Sequence, residues 1–396
     1  MSALAHPGFR AYFVAAVPLV QALWAQRVTI GWLAWDVSGS AAFVGLVAAL
    51  SLAPTIVAGP VFGALVDRAD MRRALQTTSG TMCALLVAAA LMAGGPGLGQ
   101  GALLVLALSI GLVSAAHHPV RMSLGPRLVP QVDVSNVVAL SALNFNLGRM
   151  IGPVLTGFAI AAVGPVATLW MSAALYLPML VAVRWMDPRD LPAAPRTTLL
   201  RGIGEGLAYL GRTRVARQAM LLTFAVAVLV RGYLELLPVM AEGVHDKGAG
   251  GLGLLTAAAG AGALVAAVAK TFGLGQGGIP PITRIVLVAG IFALAGLGLT
   301  TSWPAALGWT AVAGFSSTFC GVGLQAAVQE SLPDALRGRV MSLWVVVGIG
   351  AVALGSGVQG WAASVFGVMP VLTWAGIGGG VVAAVLVLPR RPRPST

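Results

Sequence analysis

The sequence predicts an all-α membrane protein: twelve transmembrane helices in two six-helix bundles. Three observations predict it. Of the 396 residues 58% are hydrophobic and only 9% charged, far below the roughly 25% charged residues of a soluble domain. The apolar residues fall into runs of about 20, the length that crosses about 30 Å of hydrocarbon. The basic residues gather on alternate loops, as cytoplasmic loops require.

Reading apolar runs against turn residues gives spans near 11–35, 41–65, 74–94, 102–120, 136–162 and 165–185. A second set follows near 216–240, 251–272, 284–301, 304–327, 340–366 and 369–388. Breaks such as Gly94-Gly95-Pro96-Gly97, Gly164-Pro165 and Ser302-Trp303-Pro304 separate neighbours. The first run is too long for the apolar core of a signal peptide. The longest polar stretch, with Pro188, Pro192 and Pro195, divides the chain into bundles over 1–185 and 216–396, joined by a linker over 186–215. A shift of 203 residues lays Pro130 on Pro333, Gly152 on Gly355, Gly157 on Gly360 and Gly164 on Gly367, as two parallel repeats would.

Charge fixes the orientation. With both termini on one side, that side receives all but four of the 24 basic residues, Arg121 and Lys270 among them. The opposite loops hold Lys247 alone, and Arg27, Arg149 and Arg231 lie inside spans. Both termini and the linker are therefore expected in the cytoplasm, and the chain in the cell's inner (plasma) membrane. The net charge of +12 is a topology signal rather than a nucleic-acid footprint, because its arginines sit singly between apolar runs. Cys83 and Cys320 lie within spans and have no pairing pattern. No His, Cys, Asp or Glu grouping has metal-ligand spacing, so neither an enzyme site, a metal nor a cofactor is expected. The adjacent His117 and His118 point about 100° apart on a helix.

The charges inside spans are the candidate site. Each costs roughly 2.5–3.5 kcal/mol at a helix centre on insertion scales, so each should face protein or a wet cavity. Gln21, Trp24 and Arg27 share a face of the first span, and Asn146 and Arg149 a face of the fifth. Glu235 is the one carboxylate deep in a span and is spaced to pair with Arg231 one turn before it. Two readings stay open: these groups line a substrate cavity, or they form fixed structural pairs. For Glu235 the first reading includes proton exchange, because burial raises a carboxyl pKa and a neighbouring Arg lowers it.

Two motifs carry a resemblance. Gly63-Ala64-Leu65-Val66-Asp67-Arg68-Ala69-Asp70-Met71-Arg72 resembles the loop between the second and third helices of the major facilitator superfamily, with Asp70 and Met71 departing from its pattern. Gly148-Arg149-Met150-Ile151-Gly152-Pro153-Val154-Leu155-Thr156-Gly157 resembles that superfamily's exporter motif, with Thr156 in place of a Gly. Leu128-Val129-Pro130 and Leu332-Pro333-Asp334-Ala335-Leu336-Arg337-Gly338-Arg339 look like the branch of enterobactin exporters and macrolide-efflux proteins. The resemblance covers nearly the whole chain. It implies a conformational latch at Gly63, Asp67, Arg68 and Arg72, and a cavity bordered by spans 1, 5 and 7. It also implies proton-coupled export of small amphipathic or anionic organic molecules, a siderophore or a drug, by a monomer in the bilayer. Other readings are a lysophospholipid transporter or flippase, and a transport-inactive sensor or assembly subunit.

The topology is checked by thiol labelling in cells after Cys83 and Cys320 are replaced. An impermeant reagent should label Lys247→Cys and spare Pro192→Cys; external labelling at position 192 overturns the orientation.

Overall fold

In a computed structural model the described residues are 2–66, 69–95, 97–189, 199–272, 274, 280–332 and 334–387. The helices are α1 Pro7–Ser38, α2 Ala41–Val57, α3 Gly59–Val66, α4 Met71–Ala93, α5 Gln100–Arg127, α6 Val134–Ala174 and α7 Leu177–Ala182. They continue with α8 Leu199–Arg212, α9 Arg214–Ala225, α10 Gly248–Thr271, α11 Pro281–Leu299, α12 Trp303–Ser331, α13 Asp334–Phe366 and α14 Val368–Val387. Among the described residues nine stretches are long and apolar enough to cross a membrane, and two shorter apolar helices, 41–57 and 368–380, add to them. The stretch Gln131–Trp185 has 55 residues and crosses twice, because Gly164 turns the chain within α6 at φ 82°. That gives twelve crossings. Gly367, 203 residues on, breaks the chain between α13 and α14 at φ 87°. Both breaks need the left-handed backbone that glycine adopts at little cost.

The first half packs through α1 on α6, α2 on α5, and α4 on α5 and α6; the second through α10 on α12, α11 on α12, and α11 on α14. The halves meet along α2 with α13 and α6 with α10. Both seams are closest at the end opposite the termini. A Cβ on Gly157 would lie 2.7 Å from the nitrogen of Gly253 in α10. One on Gly360 would lie 2.8 Å from the Cα of Gly45 in α2. Gly157 and Gly360 are 203-residue equivalents, so one contact is built twice. Small residues are what let helix backbones come this close in lipid. At the same end Trp35 of α1 lies where a Cβ on Gly243 would fall, 2.7 Å away. Among the described residues, the polar contacts at the terminus end stay off this interface. His6 Nε2 meets Asp133 Oδ2 at 2.8 Å within the first half, and the linker residue Tyr209 donates to the Ser331 carbonyl of α12.

The seventh crossing departs from the regular helix that the sequence predicts. After α9 the backbone widens into a π-helical turn over Val226–Arg231, tightens into a 3-10 turn over Gly232–Leu236, and widens again over Val239–Val244. Gln359 of α13 donates to the carbonyls of Val228 (2.6 Å) and Leu229 (3.1 Å), which lie in the first wide turn.

Gly157→Val and Gly360→Val should each part the halves at the closed end. The check is thiol labelling of Trp24→Cys from the side opposite the termini, which should become at least several-fold faster. An unchanged rate overturns the assignment of these glycines as the seal.

Candidate functional site

Glu235 occupies the interface between the halves, half-buried on the tightened segment of the seventh crossing. Its Oε1 accepts from Arg27 Nη2 of α1, and the pair joins the two halves. The expected partner, Arg231, is not the one used. Four residues of α-helix separate side chains by about 40°. Across a 3-10 turn, with about 3 residues per turn, the angle is nearer 120°. The change in winding therefore carries Glu235 away from Arg231 and towards α1. Arg231 is half-buried, and the charges of Arg149 and Arg27 act on it. Guanidinium groups from α1 and α6 thus lie within electrostatic reach of Arg231 on the seventh crossing, and one of them, Arg27, holds Glu235.

The remaining candidates divide. Trp24 lies against Arg27, whose guanidinium is 5.7 Å from the indole centroid, and against Phe145 of α6 at 5.9 Å between ring centroids. Gln21 Oε1 and Trp24 Nε1 are buried without hydrogen-bond partners. Asn146 does not join Arg149; it is exposed and donates to the Ala142 carbonyl of its own helix at 2.8 Å.

The α6 motif has a clear structural basis. Gly148 and Gly152 sit where α1 presses on α6. A Cβ on Gly152 would lie 2.7 Å from Trp24 Cβ and 2.9 Å from Gln21 Oε1, and one on Gly148 would overlap Val20. Further along, the Pro153 carbonyl accepts from Thr256 Oγ1 of α10 at 3.4 Å, and Gly157 meets Gly253. One face of the motif thus seats the aromatic and polar residues of α1, while its far end closes the molecule against the other half. Gly355, equivalent to Gly152, plays the same part against Val228 of the seventh crossing, where a Cβ on Gly355 would lie 2.9 Å from the Val228 Cα.

At the loop motif, Asp70 explains its own departure from the pattern. Its side chain caps α4, accepting from the backbone N–H groups of Arg72 (2.9 Å) and Arg73 (3.2 Å). Arg72 is exposed and donates to the Arg184 carbonyl at 3.3 Å. Gly63 lies in α3, whereas Asp67 and Arg68 lie outside the described residues, as do the side chains of Asp334, Arg337 and Arg339.

Several basic residues assigned to loops belong to helices, Lys270 and Arg121 among them. Lys270 is in the last turn of α10, 3.9 Å above the Phe319 ring. Arg121 is buried within α5, 8% exposed. Its guanidinium lies 5.2 Å from the Phe145 centroid, and the Tyr12 hydroxyl donates to its backbone carbonyl at 3.0 Å. Nearby, Tyr176 donates to Gln26 Oε1 at 3.1 Å, and His117 Nδ1 meets Thr78 Oγ1 at 3.0 Å. His118 is exposed. The long apolar stretch before Arg121 ends the sequence-level span at 120, although two more helical turns continue it.

The bridging pair predicts a non-additive stability pattern. Removing one partner leaves the other charge unpaired at the interface; removing both does not. Arg27→Gln and Glu235→Gln should each lower stability by about 1–3 kcal/mol, below the 3–5 of a fully buried pair, and the double variant by less than the sum. Additive losses in a thermal double-mutant cycle overturn the pairing.

Residues 1–395 match the family described as transmembrane secretion effector. The enterobactin exporter EntS of Shigella boydii serotype 4 is 25% identical over 388 residues, covering 97% of this chain and 92% of the relative. That of Citrobacter koseri is 26% identical over 402 residues, with the same coverage. Among solved structures, a bacterial homolog of the human lysosomal transporter Spinster, inward-facing and unoccupied, superimposes with a TM-score of 0.76 at 16% identity, covering 96% of both chains. The nucleoside transporter NupG gives 0.73 at 13% identity, covering 96% of this chain and 98% of its own. These two share the fold. The chain belongs to the transmembrane secretion effector family of the major facilitator superfamily, and is a multi-pass membrane transporter rather than an enzyme.

Proposed function

We propose that the protein is a proton-coupled exporter of small anionic or phenolate-bearing amphipathic molecules, working by alternating access between its two bundles, 1–185 and 216–396. The observation that carries this reading is the Arg27–Glu235 pair between the halves, with Arg231 within electrostatic reach of Arg27 and Arg149. Such a site has positive charge to offer an anion, and a carboxylate able to hold a proton in one state and an arginine in the other. The exporters it resembles carry enterobactin, which favours a siderophore-like cargo; a hydrophobic drug is the runner-up.

With the termini in the cytoplasm, the end sealed by Gly157 with Gly253 and Gly45 with Gly360 is the external one. The conformation is then inward-facing. Substrate enters from the cytoplasm, meets Arg149 and Arg231 with Gln21 and Trp24 beside them, and competes with Glu235 for Arg27. Loss of Arg27 leaves Glu235 without its ion partner, and a proton takes the place of the arginine. The external seal can then part without tearing an ion pair. Gly63, Asp67, Arg68 and Arg72 are read as the cytoplasmic latch of the opposite state.

The test is efflux by cells expressing Glu235→Gln, across siderophores, antibiotics and lysolipids. The variant should still bind the cargo that the parent exports, yet lose the dependence of efflux on a pH gradient. Gradient-driven efflux by Glu235→Gln removes Glu235 from coupling. Efflux of lysolipids alone by the parent removes the anionic-cargo reading.

A further inference from the structure

Arg121 is a buried cation that the proposed cycle does not use. Its Nη1 is fully buried and meets no acceptor. The ion pairs among the described residues are His6–Asp133, Arg27–Glu235 and Arg73–Asp70, so no described carboxylate answers it. The groups whose charge states bear on it are the hydroxyls of Tyr12 and Tyr176 and the imidazoles of His117 and His118. None of them is a standing anion at neutral pH. Leaving a buried charge unpaired is among the more costly arrangements open to a protein, more so within a membrane span.

The geometry around it is ordered. Arg121 lies over Phe145 (5.2 Å), Phe145 meets Trp24 at a tilt of 51° (5.9 Å), and over Trp24 lies Arg27 (5.7 Å), which pairs with Glu235. Cation and aromatic ring thus run from α5 across α6 to α1 and the interface. Along this run Trp24 Nε1, an N–H donor, is also buried and unpartnered. A run with unanswered donors and aromatic faces, closed by guanidinium groups at both ends, is complementary to an aromatic ring bearing an anionic oxygen.

We infer that Arg121, with Phe145 and Trp24 beside it, is an anion subsite for aryl carboxylates and aryl oxyanions, distinct from the arginines at the interface. The aryl group rests on Phe145 and Trp24, and an anionic oxygen accepts from the unpartnered Nη1 of Arg121. This rests on the reading of an anionic cargo and adds where the anion is held.

The experiment uses the full chain in lipid nanodiscs with 2-naphthoate and uncharged 2-naphthamide, by equilibrium dialysis and thermal unfolding. The parent should prefer naphthoate. Arg121→Gln should weaken naphthoate about tenfold to a hundredfold, the range of a charge-assisted hydrogen bond, and leave naphthamide unchanged. Because it removes an unanswered charge, its ligand-free melting temperature should equal or exceed the parent's. A retained preference for naphthoate in Arg121→Gln overturns the subsite and leaves the proposed function standing. A lower ligand-free melting temperature, or failure to fold, shows that Arg121 is structural and overturns it equally. A parent that binds neither probe, or both alike, removes the anionic-cargo reading and the subsite together.

Discussion

Charge inside an apolar bundle has few ways to be satisfied, and Arg27–Glu235 is the way this chain satisfies it where the halves meet. In hydrocarbon an ionised group must reach water, a partner, or another helix. Glu235 reaches another helix, and that helix belongs to the opposite half. The pair therefore does two things at once. It neutralises a carboxylate that would otherwise be stranded in the seventh crossing, and it ties α1 to that crossing on the closed side of the molecule. Any motion that separates the halves there has to supply a substitute for each partner.

The rest of the architecture serves that approach. α1 comes close enough to the interface because Gly148 and Gly152 let it sink into α6. The seventh crossing presents Glu235 to it because the backbone has left α-helical winding. That winding is itself held: the wide turn leaves carbonyls at Val228 and Leu229 that Gln359 satisfies from α13, and Gly355 admits the bulge at Val228. A π-helical turn inside a span is tolerated when a neighbouring helix answers its backbone groups. The wide turn, the carboxylate and the closed end opposite the termini are thus parts of one packing arrangement.

How much of this was legible in sequence follows from which forces act locally. Hydrophobic length and charge asymmetry set the twelve crossings, because the bilayer imposes them on each segment independently. Gly164 and Gly367 could be matched by spacing alone, and both proved to be left-handed breaks. The candidates Trp24, Arg27 and Glu235 were found because a polar residue in a span is conspicuous. Their pairing was not, since a helical wheel assumes uniform winding and the seventh crossing lacks it. Arg121 was misplaced for another reason: the apolar run ends before it, while the helix continues to Arg127. Only tertiary packing reveals that Tyr12, Phe145 and Tyr176 enclose the extension.

The proposed cycle can be argued from charge conservation at the interface. In this arrangement Glu235 offsets Arg27, while Arg149 and Arg231 have no ion pair among the described residues. Suppose an anion enters and takes Arg27. Glu235 then has no cation on its own winding face, because the 3-10 turn has rotated it away from Arg231. Its remaining choices are water or a proton, and the closed end limits water. In the proposed cycle the uptake of a proton is therefore tied to occupancy by geometry. With an α-helical seventh crossing, Arg231 would take over Glu235 when Arg27 left, and substrate could bind without a proton. The irregular winding is what would make the two events depend on each other.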